Sequence, residues 1–265
     1  MDKSKLLAKW LEQKSVDSEA LTKKPEDSPN RLSYGQRRLF FLQQIHPSSP
    51  FYNYPELYTL RGNWDMDMLK KCIHEICHNH EIFSYNFKLN NDHEPEIVIN
   101  QEREPVLIEH ADRSELPNDQ SLDEYFLAKG RYLFDLATDA LFRVTIVSIS
   151  DTEHRLLFTL HHIITDMWSM KILRSQLLEL YKKQNGTTNK NPISENKYDY
   201  LDYSYHQNNT NIPEKEIHYW KERLSTSLDE MALPVDQKPT KITHNGKLNT
   251  TTLPLELTKK FLMKG

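Results

Sequence analysis

Residues 161–169 read HHIITDMWS: two adjacent imidazoles after an apolar run, a carboxylate four residues past the second, and a helical pattern at once. Three chemistries use such a set. Two imidazoles and a carboxylate can bind a transition metal, but neighbours on a strand face opposite ways, so His161 and His162 cannot share a ligand while the strand continues. One of them is expected to point inward. A Ser-His-Asp hydrolase needs a G-x-S-x-G turn, which is absent, and the chain has only six glycines. The third option is a histidine acting as general base without a covalent enzyme intermediate. An imidazole with a pKa of about 6.5 accepts a proton at neutral pH and, when positioned, contributes about 10²- to 10⁴-fold. That suits acyl transfer to an amine, hydroxyl or thiol from a donor activated beforehand. Asp166 stands where a helix N-cap belongs; alternatively it is a buried carboxylate paired with an arginine, holding the loop so that His162 is aimed.

These groups need a scaffold. "LFRVTIVSIS" (141–150) and "HRLLFTLHH" (154–162) have strand composition around a polar turn, predicting a hairpin in the middle of a sheet that delivers the histidines to a strand end. Past Asp166, Met170, Leu173, Leu177 and Tyr181 predict a helix stopped at Asn185 and Gly186. Upstream, Ser33 and Gln36 form a capping box for a helix over 34–45, ended by Pro47 and Pro50. Asp65 caps a helix with Leu69, Cys72, Ile73, Ile76 and Cys77 on one stripe. Strands are expected at 96–100 and 105–110, and a helix at 122–130 behind Ser121. Residues 198–207 and 213–225 read as helices, 248–255 as a strand, and a new helix opens at 256. Residues 1–13 form an amphipathic pattern through Leu6, Leu7, Trp10 and Leu11, expected to be either a packed extra turn or a docking element for another protein. Polar stretches at 23–30 and 187–196 read as linkers, the second as a domain boundary.

With 37% hydrophobic and 27% charged residues in 265, the composition is that of a globular protein with a sizeable core. Mean hydropathy of −0.73 and no apolar run near the roughly 18 residues of a membrane span argue against membrane insertion and predict a cytoplasmic protein. A net charge of −4 without a basic block provides no footprint for nucleic acid. Cys72 and Cys77, the two cysteines, lie about 140° apart on one helix and are not expected to bridge. The nearby run "CIHEICHNH" scatters its cysteines and histidines over different helix faces, so no metal site is expected.

In order along the chain, "LSYGQRRLFFL" (32–42), "NHEIFSYNF" (79–87), "FDLATDALFRV" (134–144), "HHIITDMWS" (161–169) and "YLDYSYHQ" (200–207) are similar to motifs of the condensation domains of nonribosomal peptide synthetases, members of the chloramphenicol-acetyltransferase-like superfamily. "HYWKERLSTSLDEMALPVDQKP" (218–239) resembles a sixth. The histidine stretch resembles the family's HHxxxDG. The resemblance covers about residues 30–265 and implies an α/β fold: αβα sandwich lobes, each a mixed sheet flanked by helices, two of them forming a V around a channel. The chain would then hold an N-terminal helix and linker (1–30), the first lobe (31–186), and a linker with the beginning of the second (187–265).

The resemblance further implies an acyltransferase of a nonribosomal peptide or hybrid polyketide–peptide assembly line, joining a carrier-bound acyl or peptidyl thioester to an acceptor amine. His162 would be the general base or orienting group, with His161 and Asp166 structural. No cofactor is bound; 4'-phosphopantetheine arrives on upstream donor and downstream acceptor carrier proteins, with docking to an upstream synthase through residues 1–13. Met167 replaces the family's glycine and, with Trp168 and Ser169, is expected to border the substrate channel. Asn79 and Ser84 stand where the family has arginines, leaving Arg38 and Arg143 as candidate partners for Asp166, with Ser33 structural. A non-catalytic carrier-recruiting module, its channel blocked by Met167, is the alternative, beside ester-forming and epimerising relatives. The short leader after Met1 argues against epimerisation, and the intact first histidine against heterocyclisation. Half a channel alone is expected to have little activity.

Overall fold

The structure is a computed structural model that describes residues 21–117, 121–193, 197–225 and 251–262. The expected N-terminal helix of residues 1–13 and residues 226–250 lie outside the described residues. The chain divides into two compact units, Met1–Ile212 and Pro213–Gly265.

In the first unit the described elements run α1 (Tyr34–Ile45), β1 (Asn53–Arg61), α2 (Met66–Asn79), a 3₁₀ turn (Glu81–Ser84), β2 (Tyr85–Leu89), β3 (Pro95–Ile99), β4 (Leu107–Asp112), a 3₁₀ turn (Arg113–Glu115), α3 (Leu122–Gly130), β5 (Phe142–Ser150), β6 (Glu153–His161), α4 (Met167–Gln184) and α5 (Tyr200–Asn209). The second unit holds α6 (Glu214–Arg223) and α7 (Leu255–Leu262). Of the strand expected at 248–255, residues 251–254 are without regular structure and Leu255 already belongs to α7.

Strands β1, β6, β5 and β4 form a mixed sheet in that order, and β2 with β3 a separate ribbon. Only the β4–β5 pair in the larger sheet is parallel. The β5–β6 hairpin is central, in keeping with its apolar-rich stretches, since a strand covered on both faces has little polar side to alternate with. Its Phe142, Val144, Ile146, Leu156, Phe158 and Leu160 share one core with the buried stripes of α2 and α4. Val147 and Leu157 meet Phe126 of α3 on the opposite face. The result is an αβα sandwich.

Helix boundaries follow local chemistry. Ser33 and Gln36 close both bonds of the capping box; Asp65 accepts from Met68 N–H; and α4 ends with Gly186 at φ 70, a left-handed conformation that glycine adopts without a Cβ penalty. Cys72 and Cys77 are free and buried on the core stripe of α2. Burial pushes the Cys72 thiol up to about 11 and the Cys77 thiol up as well, so both act as small hydrophobes.

The polar stretch from 187 stays with the first unit. Past it, α5 returns to the start of α1: Ser204 Oγ donates to Arg31 O, Asn208 Nδ2 to Leu32 O, and Tyr34 N–H to Gln207 Oε1. The two compact units meet in sequence at Ile212/Pro213.

Candidate active site

Strand β6 ends on His161, and residues 162–165 turn into α4. The alternation expected of the histidines is what the side chains do. His161 is 1% exposed and His162 is exposed.

His161 packs edge-on to Phe134 at 6.1 Å between ring centroids and tilted against Tyr52 at 6.4 Å. Its Nδ1 accepts from Ile163 N–H at 3.1 Å. That bond makes Nε2 the protonated nitrogen of the neutral ring, and Nε2 is buried without a hydrogen-bond partner among the described residues. Burial first, and His162 second, lower its pKa to about 4. His161 is therefore a neutral strut for the turn.

His162 is fixed through its backbone and a neighbour. Its N–H donates to Tyr52 O at 2.7 Å, and its imidazole stands perpendicular to Tyr54 at 5.9 Å. The loop after it is pinned from α1, because Gln36 Nε2 donates to Ile163 O at 3.3 Å. Ser33 Oγ also meets Tyr200 Oη at 3.0 Å. Three stretches distant in sequence (32–42, 161–169 and 200–207) thus converge on one turn. Gln36→Leu removes both the capping-box acceptor and the Ile163 anchor, leaving a buried carbonyl unpaired. The expected cost is about 1–3 kcal/mol, read as a lowered urea midpoint with an unchanged slope.

Asp166 is the N-cap of α4, accepting from Ser169 N–H at 2.7 Å and from Ser169 Oγ–H at 2.7 Å. The Ser169 amide and hydroxyl hold its carboxyl below the usual range. No arginine pairs with it among the described residues, which excludes the buried ion pair. Arg38 lies exposed on α1. Arg143 is occupied elsewhere: it bonds Glu109 at 2.7 Å and stacks 4.0 Å over Tyr132, whose hydroxyl donates to Asp139. That arginine braces β5 against β4. Asp166→Asn keeps the cap and is expected to leave stability within about 0.5 kcal/mol, whereas Asp166→Ala costs about 1 kcal/mol; thermal melts separate the two.

Met167 and Trp168, 74% and 67% exposed, stand on the first turn of α4 with Ser169, and Lys171 Nζ lies 5.1 Å over the Trp168 ring. The Met167 side chain stands in solvent. A cleft of about 420 Å³ opens on another flank of α4, lined by Thr165, Ser169, Ile172, Gln176, Phe83 and Tyr200, among others.

Sequence reasoning assigned no role to Tyr54, Glu56 or Arg174. The half-buried Tyr54, Glu56, Tyr58 and Leu60 alternate along β1 with more exposed residues, a period-2 signal for the strand that Pro55 obscured. Arg174 of α4 donates to both Glu56 oxygens at 3.2 Å. Around "CIHEICHNH", His78 Nδ1 bonds His74 O and His80 Nε2 bonds Gln176. No cluster of three or more His, Cys, Asp or Glu side chains able to hold a metal occurs among the described residues, and none of their helices is long and apolar enough to cross a membrane.

The chain is 31% identical over 266 residues to a linear gramicidin synthase of Brevibacillus parabrevis, covering 97% of this chain and 3% of that protein. Among solved structures it is similar to the X-domain from teicoplanin biosynthesis in its complex with OxyB, with TM-score 0.66, 22% identity, and coverage of 83% of this chain and 48% of that one. It is also similar to the starter condensation domain of rhizomide synthetase RzmA, with TM-score 0.63, 16% identity, and coverage of 77% and 49%. The chain therefore spans about half of each solved fold and a small part of the synthase. The condensation domain family model matches residues 30–263, and with the double histidine at a central strand end and its converging anchors, the chain belongs to the condensation domain family.

Proposed function

We propose that this chain supplies the acyl-transfer centre of a nonribosomal peptide assembly line and forms an amide between a carrier-bound acyl or peptidyl thioester and an acceptor amine. The observation that carries it is the solvent-facing imidazole of His162, held by Tyr52 O and Tyr54 at the end of β6. In the reaction the amine nitrogen attacks the thioester carbonyl carbon, His162 takes the nitrogen's proton, the C–S bond breaks, and the departing thiolate takes up that proton. His161 and Asp166 hold the turn; Met167, Trp168 and Ser169 border the approach.

The proposal includes donor and acceptor carriers that bring 4'-phosphopantetheine arms as substrates, docking through residues 1–13, and a cytoplasmic location. It takes residues 187–265 as a linker and the beginning of a second lobe. Reconstitution of the full-length protein with an acyl-loaded and an aminoacyl-loaded carrier is expected to put the new amide on the acceptor carrier, read by mass spectrometry of its arm. Replacing the acceptor's amine with a hydroxyl tests the ester-forming alternative.

A recruiting module is the second reading, favoured by the likeness to an X-domain solved in complex with OxyB. It predicts that both carriers bind and no product forms.

A further inference from the structure

His162 makes no ring hydrogen bond among the described residues; its packing contact is the perpendicular face of Tyr54. An exposed imidazole held only by its backbone samples several rotamers, and a general base must sit within hydrogen-bond reach of the proton it removes. Something has to select the orientation. Tyr54 leads to a connected set of side chains. On β1 it shares a face with Glu56 and Tyr58; Tyr58 Oη donates to Glu56; and Arg174 Nη1 holds both Glu56 oxygens at 3.2 Å and lies 3.3 Å from Tyr58 Oη. The Glu56 side chain is 18% exposed and that of Arg174 40%, so the carboxylate is the shielded end of the pair. Burial first and the Glu56 carboxylate second push the Tyr54 phenol up. Arg174 belongs to the helix that the histidine turn itself starts. The turn starts α4, α4 carries Arg174 to Glu56, and Glu56 lies on the same face of β1 as Tyr54, which packs against His162.

We propose that Tyr54, anchored by the Glu56–Arg174 pair, is a positioning residue that sets the orientation of the His162 imidazole. The inference rests on the reading of His162 as the base, and it goes beyond it by naming what aims the ring. Since Tyr54 acts through His162, its loss lowers turnover rather than substrate affinity, and it lowers nothing once His162 is gone.

The test uses the full-length protein with two loaded carriers. Tyr54→Leu is expected to lower kcat about 10- to 100-fold, the range that misplacement of a catalytic group produces, with KM for either carrier within about twofold. Tyr54→Phe and Glu56→Gln, which keep the packing, are expected to lose a smaller, measurable share, about 3- to 10-fold. They carry the test should Tyr54→Leu fail to fold. Leu57→Ala, on the exposed face of the same strand, should leave kcat unchanged. The decisive arm is the double variant: His162→Ala with Tyr54→Phe should be no slower than His162→Ala alone. Multiplying losses in the double variant, or unchanged kcat in all the Tyr54 and Glu56 variants, overturns the positioning role while a large loss in His162→Ala leaves the base intact. An inert substitution in His162→Ala, with wild-type rates, would instead overturn the base and this inference with it.

Discussion

His162→Ala in the full-length protein is expected to reduce amide formation between loaded carriers by about 10²- to 10⁴-fold, the range over which a positioned general base acts. The acyl group arrives as a thioester, so the unassisted barrier lies in the amine attack, where nitrogen must shed a proton as the carbon–nitrogen bond forms. Without the imidazole that proton goes to water, in a geometry the protein does not control. Stability should hardly change. The ring is exposed and its retained backbone N–H still bonds Tyr52 O, so the variant should unfold within about 0.5 kcal/mol of the wild type, as exposed substitutions do. Carrier binding, measured by titration calorimetry, should also persist. Wild-type rates in the variant would remove the acid–base role, and a loss of carrier binding together with rate would reassign His162 to recruitment.

Acid should weaken the fold through the other histidine. Burial lowers the pKa of His161 to about 4, while in the unfolded chain it returns to about 6.5. Above the unfolded value both states carry neutral imidazole and the stabilisation is whole. As pH falls from about 6.5 toward 4 the unfolded state binds the proton and the folded state does not, so stability drops by about 3 kcal/mol across that window. Carboxylates with lowered pKa, such as Asp166 and Glu109, add further loss mainly in the lower part of the window and beneath it. His161→Asn isolates the histidine, because its side-chain oxygen can still accept from Ile163 N–H while nothing at that position titrates. Urea midpoints taken from pH 7 to 4.5 should fall more steeply for the wild type than for the variant, even where the variant is less stable throughout. Parallel curves would mean that His161 is solvated in the folded state.

Much of the scaffold was legible because the signals are local. Capping residues sit within three positions of the amides they satisfy, so the starts of α1, α2, α3 and α4 follow from Ser33, Asp65, Ser121 and Asp166 alone. The apolar runs of β5 and β6 predicted their central place for the same reason. Strand β1 escaped: Asn53, Pro55 and Glu56 argue against a strand by propensity, and it exists because pairing with β6 from Asn53↔His161 to Arg61↔Glu153 satisfies its backbone. The return of α5 to α1 was equally invisible locally, since a polar stretch such as the one from 187 marks a linker whether or not the chain beyond it folds back.

For the site itself, residue order along 161–166 determined that one histidine turns inward and that Asp166 can cap, because strand alternation and capping are properties of a few consecutive residues; that His161 is the inward one came from the structure. Tertiary structure alone decided that Gln36 holds the Ile163 carbonyl, that Arg143 serves Glu109 instead of Asp166, and that Tyr54 faces His162. Each of those contacts joins residues more than thirty positions apart, and which distant side chains meet depends on sheet order and helix packing, set by burial of the whole core rather than by any short stretch of sequence.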